Sequence, residues 1–161
     1  FYDILSRKGN PLMESVTPLK LKKLRPHAVL PVRATSGSAG LDLSACIDAP
    51  MTLAPGQRAL IPTGLAAAIP AGTAGMIYAR SSLGVKHGIA LSNGVGVIDS
   101  DYRGEISVGL CNFSSEPYTI QPGERIAQLV LHPVLLLPVE EADSLDETAR
   151  GAGGFGSTGR N

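Results

Sequence analysis

The segment Asn93–Glu105 (NGVGVIDSDYRGE) holds the side chains best suited to chemistry in this chain. An apolar run ends at the carboxylate of Asp99, and Asp101, Tyr102 and Arg103 follow before a strand-like run resumes. Two short β-runs around a polar, glycine-bounded tip predict a hairpin. An acid, an aromatic ring and a base at such a tip indicate ligand binding. A solvated turn is the alternative, since Asp, Ser and Gly are common turn residues.

A second group of polar residues, Arg80, Ser81 and Ser82, precedes a predicted short helix (SSLGVKHG). We expect Ser81 or Ser82 to be its N-cap. Free N–H groups at a helix N-terminus, two hydroxyls and a guanidinium suit a phosphate group. Ordinary capping beside a solvated arginine fits the same pattern.

Two further polar residues lie in apolar surroundings. Gln128 interrupts the apolar run after Arg125, and a buried amide requires hydrogen-bond partners. It is therefore a structural anchor or a ligand contact. Asp42, at the start of a predicted strand, is a single carboxylate and only a weak metal-site signal. Mg²⁺, however, often takes few protein ligands together with substrate phosphates.

The tail 150–159 (RGAGGFGSTG) combines glycines with a cation, Arg150, and a ring, Phe155. Its glycine spacings resemble two nucleotide-binding loops, but the chain ends before the helix that the first requires, and the second lacks its lysine. Glycines still let backbone N–H groups approach phosphate oxygens, and a ring can stack on a base. Because the tail cannot bury enough apolar area to fold alone, we expect it to be mobile. It is either a frayed terminus or an arm that orders over a ligand.

Composition narrows the class of protein. The 161 residues are 43% hydrophobic with no net charge, which fits one globular domain and gives no indication of nucleic-acid binding. No apolar run approaches the roughly 20 residues that span a bilayer, so we expect no membrane partner. Cys46 and Cys111 are isolated, which favours buried free thiols and a reducing compartment, in the cytoplasm or, in a eukaryote, the nucleus or an organelle.

The spacing of glycine and proline predicts many short strands. These residues number 19 and 12, and they separate β-like runs, while long amphipathic helical segments are missing from the pattern. This favours an all-β sandwich or barrel with one short helix. Met13 could be the native start, with the preceding residues processed or non-native.

Five segments, in order, resemble the motifs of the trimeric dUTP pyrophosphatases. They are AGLDL (39–43), RSSLG (80–84), NGVGVIDSDYRGE (93–105), PGERIAQ (122–128) and RGAGGFGSTG (150–159). The resemblance covers residues 19–159 and implies a jelly-roll-like β domain over 19–138 that assembles as a homotrimer. It also implies a flexible arm over 139–161 that closes over the active site, and it leaves 1–18 as an N-terminal extension.

The resemblance further implies hydrolysis of dUTP to dUMP and pyrophosphate with Mg²⁺ bound across the triphosphate. This activity would keep dUTP low and supply dUMP for thymidylate synthesis. Asp99 would activate the attacking water, and Asp42 would hold a water on the metal. Tyr102 would pack on the deoxyribose and exclude a 2′-hydroxyl. The remaining expected substrate contacts are Arg80, Ser81, Ser82 and Gln128 on phosphates, Asn93, Gly96 and Ile98 around the uracil, Phe155 over the uracil, and Arg150, Gly156, Ser157 and Thr158 closing from the arm.

Two other functions compete with this one. The dCTP deaminases share the fold and some motifs, but the Asp99–Tyr102 segment and the arm resemble the hydrolase pattern. A non-catalytic nucleotide-binding module is the second alternative, and intact candidates at every catalytic position argue against it.

Overall fold

The computed structural model describes residues 18–154, which form eleven strands and one seven-residue helix. The predicted all-β class with a short helix is therefore confirmed for this part of the chain. The elements are β1 (Lys20–Lys23), β2 (Leu41–Ser44), β3 (Met51–Leu53), β4 (Arg58–Pro62), β5 (Leu65–Ala68), β6 (Thr73–Ala79), α1 (Ser81–His87), β7 (Ile89–Leu91), β8 (Gly96–Ile98), β9 (Ser107–Asn112), β10 (Tyr118–Ile120) and β11 (Arg125–Pro133).

The strands form four small antiparallel sheets around one apolar core. The largest has the order β2-β11-β6-β8, the next β4-β9-β7, and two-stranded pairs join β1 to β5 and β3 to β10. All of the sheets contribute fully or nearly fully buried side chains to this core: Leu43, Leu53, Ile61, Leu65, Leu110, Ile120 and Leu129. Removing these side chains from water is the main stabilising contribution expected of such a fold.

Strand β11 is central to the largest sheet and fixes the relative position of two motifs. Its Gln128 lies opposite Asp42 of β2 on one side and Tyr78 of β6 on the other. Because β6 leads directly into α1, this register places Arg80 next to the β2–β11 edge. Residues from three separated motifs therefore meet at one end of the sheet.

The N-cap of helix α1 is Arg80, and the prediction of Ser81 or Ser82 was wrong. Arg80 keeps the extended backbone of the preceding strand (φ −82°, ψ 134°), so both serines lie inside the first turn, and no side chain caps it. The helix buries Leu83 and ends at Gly88, whose φ of 65° is left-handed. Glycine adopts that conformation without steric cost.

The predicted hairpin over residues 93–105 was also wrong. Strand β8 pairs with β6, whereas β9 pairs with β4 and β7. The segment thus crosses from one sheet to the other. In the β8–β6 pair, a Cβ on Gly96 would lie 3.0 Å from Ile77 Cβ, so the missing side chain leaves room for Ile77.

The two ends of the chain lie partly outside the described residues, which exclude 1–17 and 155–161. Residues 134–154 carry neither helix nor strand and are mostly exposed. Within the described range, the molecule has no helix with the length and apolar character needed to cross a membrane.

Candidate active site

A cationic cavity of about 340 Å³ lies where β2, β6 and β11 meet. It contains four of the residues that the sequence assigned to phosphate or metal binding. Its lining residues are Ala34, Ser38, Ala39, Gly40, Asp42, Arg80, Ser81, Arg125 and Gln128. We call it the anion cavity.

Asp42 holds the two arginines of the anion cavity in place. Its Oδ1 accepts a hydrogen bond from Arg80 Nε at 3.2 Å, and its Oδ2 accepts one from Arg125 Nη1 at 2.9 Å. Arg80 Nη1 also donates to the Arg125 carbonyl at 3.1 Å. Two guanidinium groups against one carboxylate leave an excess positive charge, and the remaining N–H donors suit phosphate oxygens.

Arg125 is the site residue that sequence reasoning missed. In the sequence it marks only the start of the apolar run that Gln128 interrupts. The β2–β11 register shifts between Arg125 and Ala127, and such a bulge redirects a side chain. The available signal was its position three residues before Gln128 in PGERIAQ, but the bulge that aims it is not visible in the sequence.

Gln128 is a hydrogen-bonded structural residue that also lines the cavity. Its Nε2 donates to the Ala79 carbonyl at 3.1 Å, and the side chain is half-buried. A Cβ on Gly40 would lie 2.5 Å from Gln128 Oε1. Glycine at position 40 therefore gives the amide the space to reach the cavity wall.

A separate pair of cavities lies along β8. The first, of about 190 Å³, is lined by Ile77, Leu91, Asn93, Gly96, Val97, Ile98, Ser107, Val108 and Gly109. The second, of about 300 Å³, is lined by Leu60, Val97, Ile98, Asp99, Tyr102, Glu105 and Ser107. Three residues line both, so we treat them as one nucleoside cavity, named for its ring, amide and apolar walls.

The turn from Asp99 to Glu105 shapes the second of these cavities. Tyr102 N donates to the Asp99 carbonyl at 3.2 Å, and Tyr102 Oη donates to the Glu105 carbonyl at 3.1 Å. Arg103 Nη1 donates to the carbonyls of Ser100 and Tyr102 at 2.7 and 2.8 Å. The Arg103 side chain is thus hydrogen-bonded within its own turn. The exposed Asp99 carboxylate, in contrast, borders the cavity.

The anion cavity and the nucleoside cavity share no lining residue. Ser82 lines neither of them. Arg150 also lies away from both, and its Nε donates to the Gly153 carbonyl at 2.8 Å. The other expected arm contacts, Phe155, Gly156, Ser157 and Thr158, lie outside the described residues. One chain therefore presents two partial sites.

Tyr118 stabilises the turn that leads to Arg125 of the anion cavity. Its hydroxyl donates a short hydrogen bond to Glu124, whose other oxygen accepts from Gln121 N at 2.8 Å. Burial, and then the hydrogen bond to Glu124, raise the pKa of Tyr118 to about 12.

The residues present fit a metal ion that is held mainly by its substrate. Among residues 18–154 there is no group of three His, Cys, Asp or Glu side chains that could bind a metal alone. Asp42 provides one carboxylate in the anion cavity, and each oxygen retains acceptor capacity beyond its arginine contact. This suits Mg²⁺, which keeps several waters and binds substrate phosphates.

A cationic pocket and a separate pocket with a ring and a carboxylate, on an antiparallel β scaffold, fit a protein that binds and hydrolyses nucleotides. The dUTPase family model matches residues 27–159. The deoxyuridine 5'-triphosphate nucleotidohydrolase of Desulfitobacterium hafniense (strain DSM 10664 / DCB-2) is 56% identical over 131 residues, which are 81% of this chain and 87% of that protein. The enzyme of the same name from Hahella chejuensis (strain KCTC 2396) is 54% identical over 139 residues, 86% of this chain and 91% of that one.

Solved structures agree with these matches. The Staphylococcus bacteriophage 80alpha dUTPase with dUPNHPP superimposes with a TM-score of 0.81 at 27% identity, covering 89% of this chain and 99% of the other. The chain therefore belongs to the dUTPase family. This confirms the resemblance and the jelly-roll-like fold that the sequence predicted.

Proposed function

We propose that this chain hydrolyses dUTP to dUMP and pyrophosphate, by attack of a water on the α-phosphate with Asp99 as general base. As a member of its family the chain is a dUTP diphosphatase. The reaction would keep dUTP low and supply dUMP for thymidylate synthesis.

The observation that carries this proposal is that the two cavities offer different chemical groups. The anion cavity offers two guanidinium groups fixed by Asp42 at 3.2 and 2.9 Å, and the nucleoside cavity offers a carboxylate beside a phenol ring. A triphosphate needs the first, while a pyrimidine deoxynucleoside and a base-activated water need the second.

The residues would act mainly by positioning and by neutralising charge. Phosphoryl transfer has little covalent chemistry for a protein to perform, so fixed cations and an oriented water account for most of the rate. Arg80 and Arg125 would hold phosphate oxygens, and Ser81 and Gln128 would add neutral donors. Asp99 would accept a proton from the attacking water.

Mg²⁺ is the proposed cofactor. Bound across the triphosphate, it would neutralise the charge that repels an incoming nucleophile. Asp42 would hold one of its waters, consistent with a single available carboxylate in the anion cavity.

We also propose a homotrimer with active sites between subunits. Such an assembly would combine the anion cavity of one copy with the nucleoside cavity of another. Within one chain these two partial sites share no residue. Large apolar side chains are exposed on the single chain, among them Leu135, Leu136 and Leu137 at 88%, 81% and 75%. Burial of these leucines against another copy would favour association.

The arm is proposed to close over bound substrate. Arg150 would reach the terminal phosphate, Phe155 would cover the uracil, and Gly156, Ser157 and Thr158 would close on the phosphates. A closing segment excludes water during the reaction and releases product afterwards. The free, buried thiols of Cys46 and Cys111 support the further proposal of a reducing intracellular compartment.

The proposal is tested by product analysis with purified protein and Mg²⁺ on dUTP, dCTP, dTTP and UTP. We expect dUMP and pyrophosphate from dUTP and negligible turnover of the other three. Release of ammonia from dCTP would instead identify a deaminase. Binding of dUTP without turnover would identify a non-catalytic module and refute the role of Asp99. Omission of Mg²⁺ with a chelator provides the matched control for the cofactor.

A further inference from the structure

Tyr102 lies directly against Gly104 in the turn that borders the nucleoside cavity. A Cβ built on Gly104 would be 2.6 Å from Tyr102 Cζ and 3.0 Å from Cε2, and closer still to the hydroxyl oxygen. Real Cβ atoms do not approach other atoms so closely. The ring therefore occupies space that only glycine leaves free.

Backbone conformation does not explain glycine at this position. Gly94 in the same segment has a φ of 75°, which favours glycine for its own sake. Gly104 is not among the positive-φ glycines of the described chain. A side chain at position 104 would first meet the Tyr102 ring, so that the ring or the new side chain would have to move.

The second contact of the ring is also rigid. Tyr102 Oη donates to the carbonyl of Glu105 at 3.1 Å. The Glu105 carboxylate accepts a hydrogen bond from Gly64 N at 2.8 Å and pairs with Arg25 Nη2 at 3.3 Å. The next residue, Ile106, donates its N–H to the Leu65 carbonyl at 2.8 Å. The acceptor of the phenol is thus tied to the β4–β5 connection.

We propose that Gly104 is a specificity-determining positioning residue, because its missing side chain fixes the Tyr102 ring in the orientation that excludes a ribose 2′-hydroxyl. The proposal rests on the proposed function and on the sugar contact that the family resemblance implies for Tyr102. Tyr102 is 44% exposed. The Gly104 backbone and the Glu105 carbonyl are two contacts that fix the position of its ring.

The test is the variant Gly104→Ala, assayed for kcat/KM on dUTP and UTP and solved as a crystal structure. We expect the ring to be displaced and the preference for dUTP over UTP to fall by about tenfold or more, as for other single-group discriminations. Gly84→Ala is the matched control: its new Cβ would meet only the Ile89 carbonyl at 3.8 Å. The control should keep the wild-type selectivity.

The outcomes separate the inference from the function on which it rests. A wild-type protein that does not hydrolyse dUTP would refute the proposed function. Wild-type hydrolysis together with unchanged selectivity in Gly104→Ala, or an unmoved ring, would refute the inference alone. Should Gly104→Ala fail to fold, a crystal structure of the wild-type protein with a non-hydrolysable dUTP analogue decides. A Tyr102 ring that lies against both Gly104 and the deoxyribose would support the inference, and a ring that has left Gly104 would overturn it.

Discussion

Asp42 illustrates how one carboxylate can organise a site without reacting. It accepts hydrogen bonds from Arg80, at the junction of β6 and α1, and from Arg125, at the start of β11. The partly exposed pairs themselves contribute little stability, up to about 1 kcal/mol each. Their value lies in orientation, since guanidinium groups fixed before substrate arrives need no reorganisation during the reaction.

Asp99→Asn tests the general base. Asparagine keeps the size of the side chain but does not accept a proton from water, so kcat should fall about a hundredfold or more, while nucleotide binding by calorimetry persists. Asp101→Asn is the matched control, because Asp101 is exposed two residues further on and lines neither part of the nucleoside cavity. Near-normal turnover of Asp99→Asn would remove the base assignment.

Tyr118 should make stability depend on alkaline pH. Burial and the bond to Glu124 raise its pKa from 10.0 to about 12. The unfolded chain therefore loses the phenol proton first. The stability that the protonated Tyr118 phenol contributes to the folded state is therefore complete below pH 10. It is lost as the pH rises toward 12.

Urea unfolding between pH 8 and pH 12 measures this effect, with Tyr118→Phe as the comparison. The variant should lose less of its unfolding free energy over the window from about pH 10 to 12 than the wild type does. Parallel pH profiles for the two proteins would show that Tyr118 has an ordinary pKa in the fold.

At the scale of elements, helix α1 contains Gly84 and is followed by Gly88, and the two glycines have opposite roles. Gly84 lies inside the helix, where alanine is favoured by about 1 kcal/mol and the new Cβ meets nothing closer than 3.8 Å. Gly88 ends the helix with a φ of 65°, and its Cβ would lie 2.9 Å from Ser114 Cβ.

Gly84→Ala should therefore raise the free energy of unfolding by up to about 1 kcal/mol, and Gly88→Ala should lower it. Chemical denaturation of both variants beside the wild type measures the pair. Equal effects of the two substitutions would contradict the distinct roles given to them.

The strands themselves were predictable, but their partners were not. Alternation and glycine or proline boundaries reveal runs such as β6, β9 and β11, because those signals are local. Pairing is non-local: β8 joins β6 rather than β9. Polar residues between two predicted strands do not indicate whether those two strands pair with each other.

The residues of the site were likewise only partly predictable from the sequence. Asp42, Arg80, Ser81 and Gln128 belong to recognisable motifs, so sequence alone could propose them as site residues, and the structure brings them to one cavity. Arg125 joins them only because a bulge redirects its side chain. The contact between Tyr102 and Gly104 was likewise not predictable, because a glycine without a positive φ gives no signal in the sequence.

At the scale of the whole molecule, the exposed leucines after β11 should determine assembly. Replacing Leu135, Leu136 and Leu137 with serine removes about 2 kcal/mol of burial per residue at a buried interface. We expect a smaller species in sedimentation velocity and a loss of dUTP turnover. Leu145→Ser is the control at a comparably exposed position, 87%. A variant that sediments like the wild type would place the interface elsewhere.

The arm should affect turnover but not assembly. Truncation after Ala149 removes Arg150 and the glycine-rich motif, so we expect kcat to fall about a hundredfold, as when charge-stabilising donors are removed. The sedimentation coefficient should change only by the lost mass. Removal of Arg160 and Asn161 alone, which lie beyond the motif, is the control. An unaffected rate after the longer truncation would return the tail to the role of a frayed terminus.

The separation of the two cavities on one chain has a consequence for inheritance. In an assembly that joins the anion cavity of one copy to the nucleoside cavity of another, damage to either cavity leaves the other usable. Two defective alleles, one damaged in each cavity, would then restore partial activity when expressed in the same cell. Two alleles damaged in the same cavity would not. The unit on which selection acts is in that case the mixed assembly rather than the individual polypeptide.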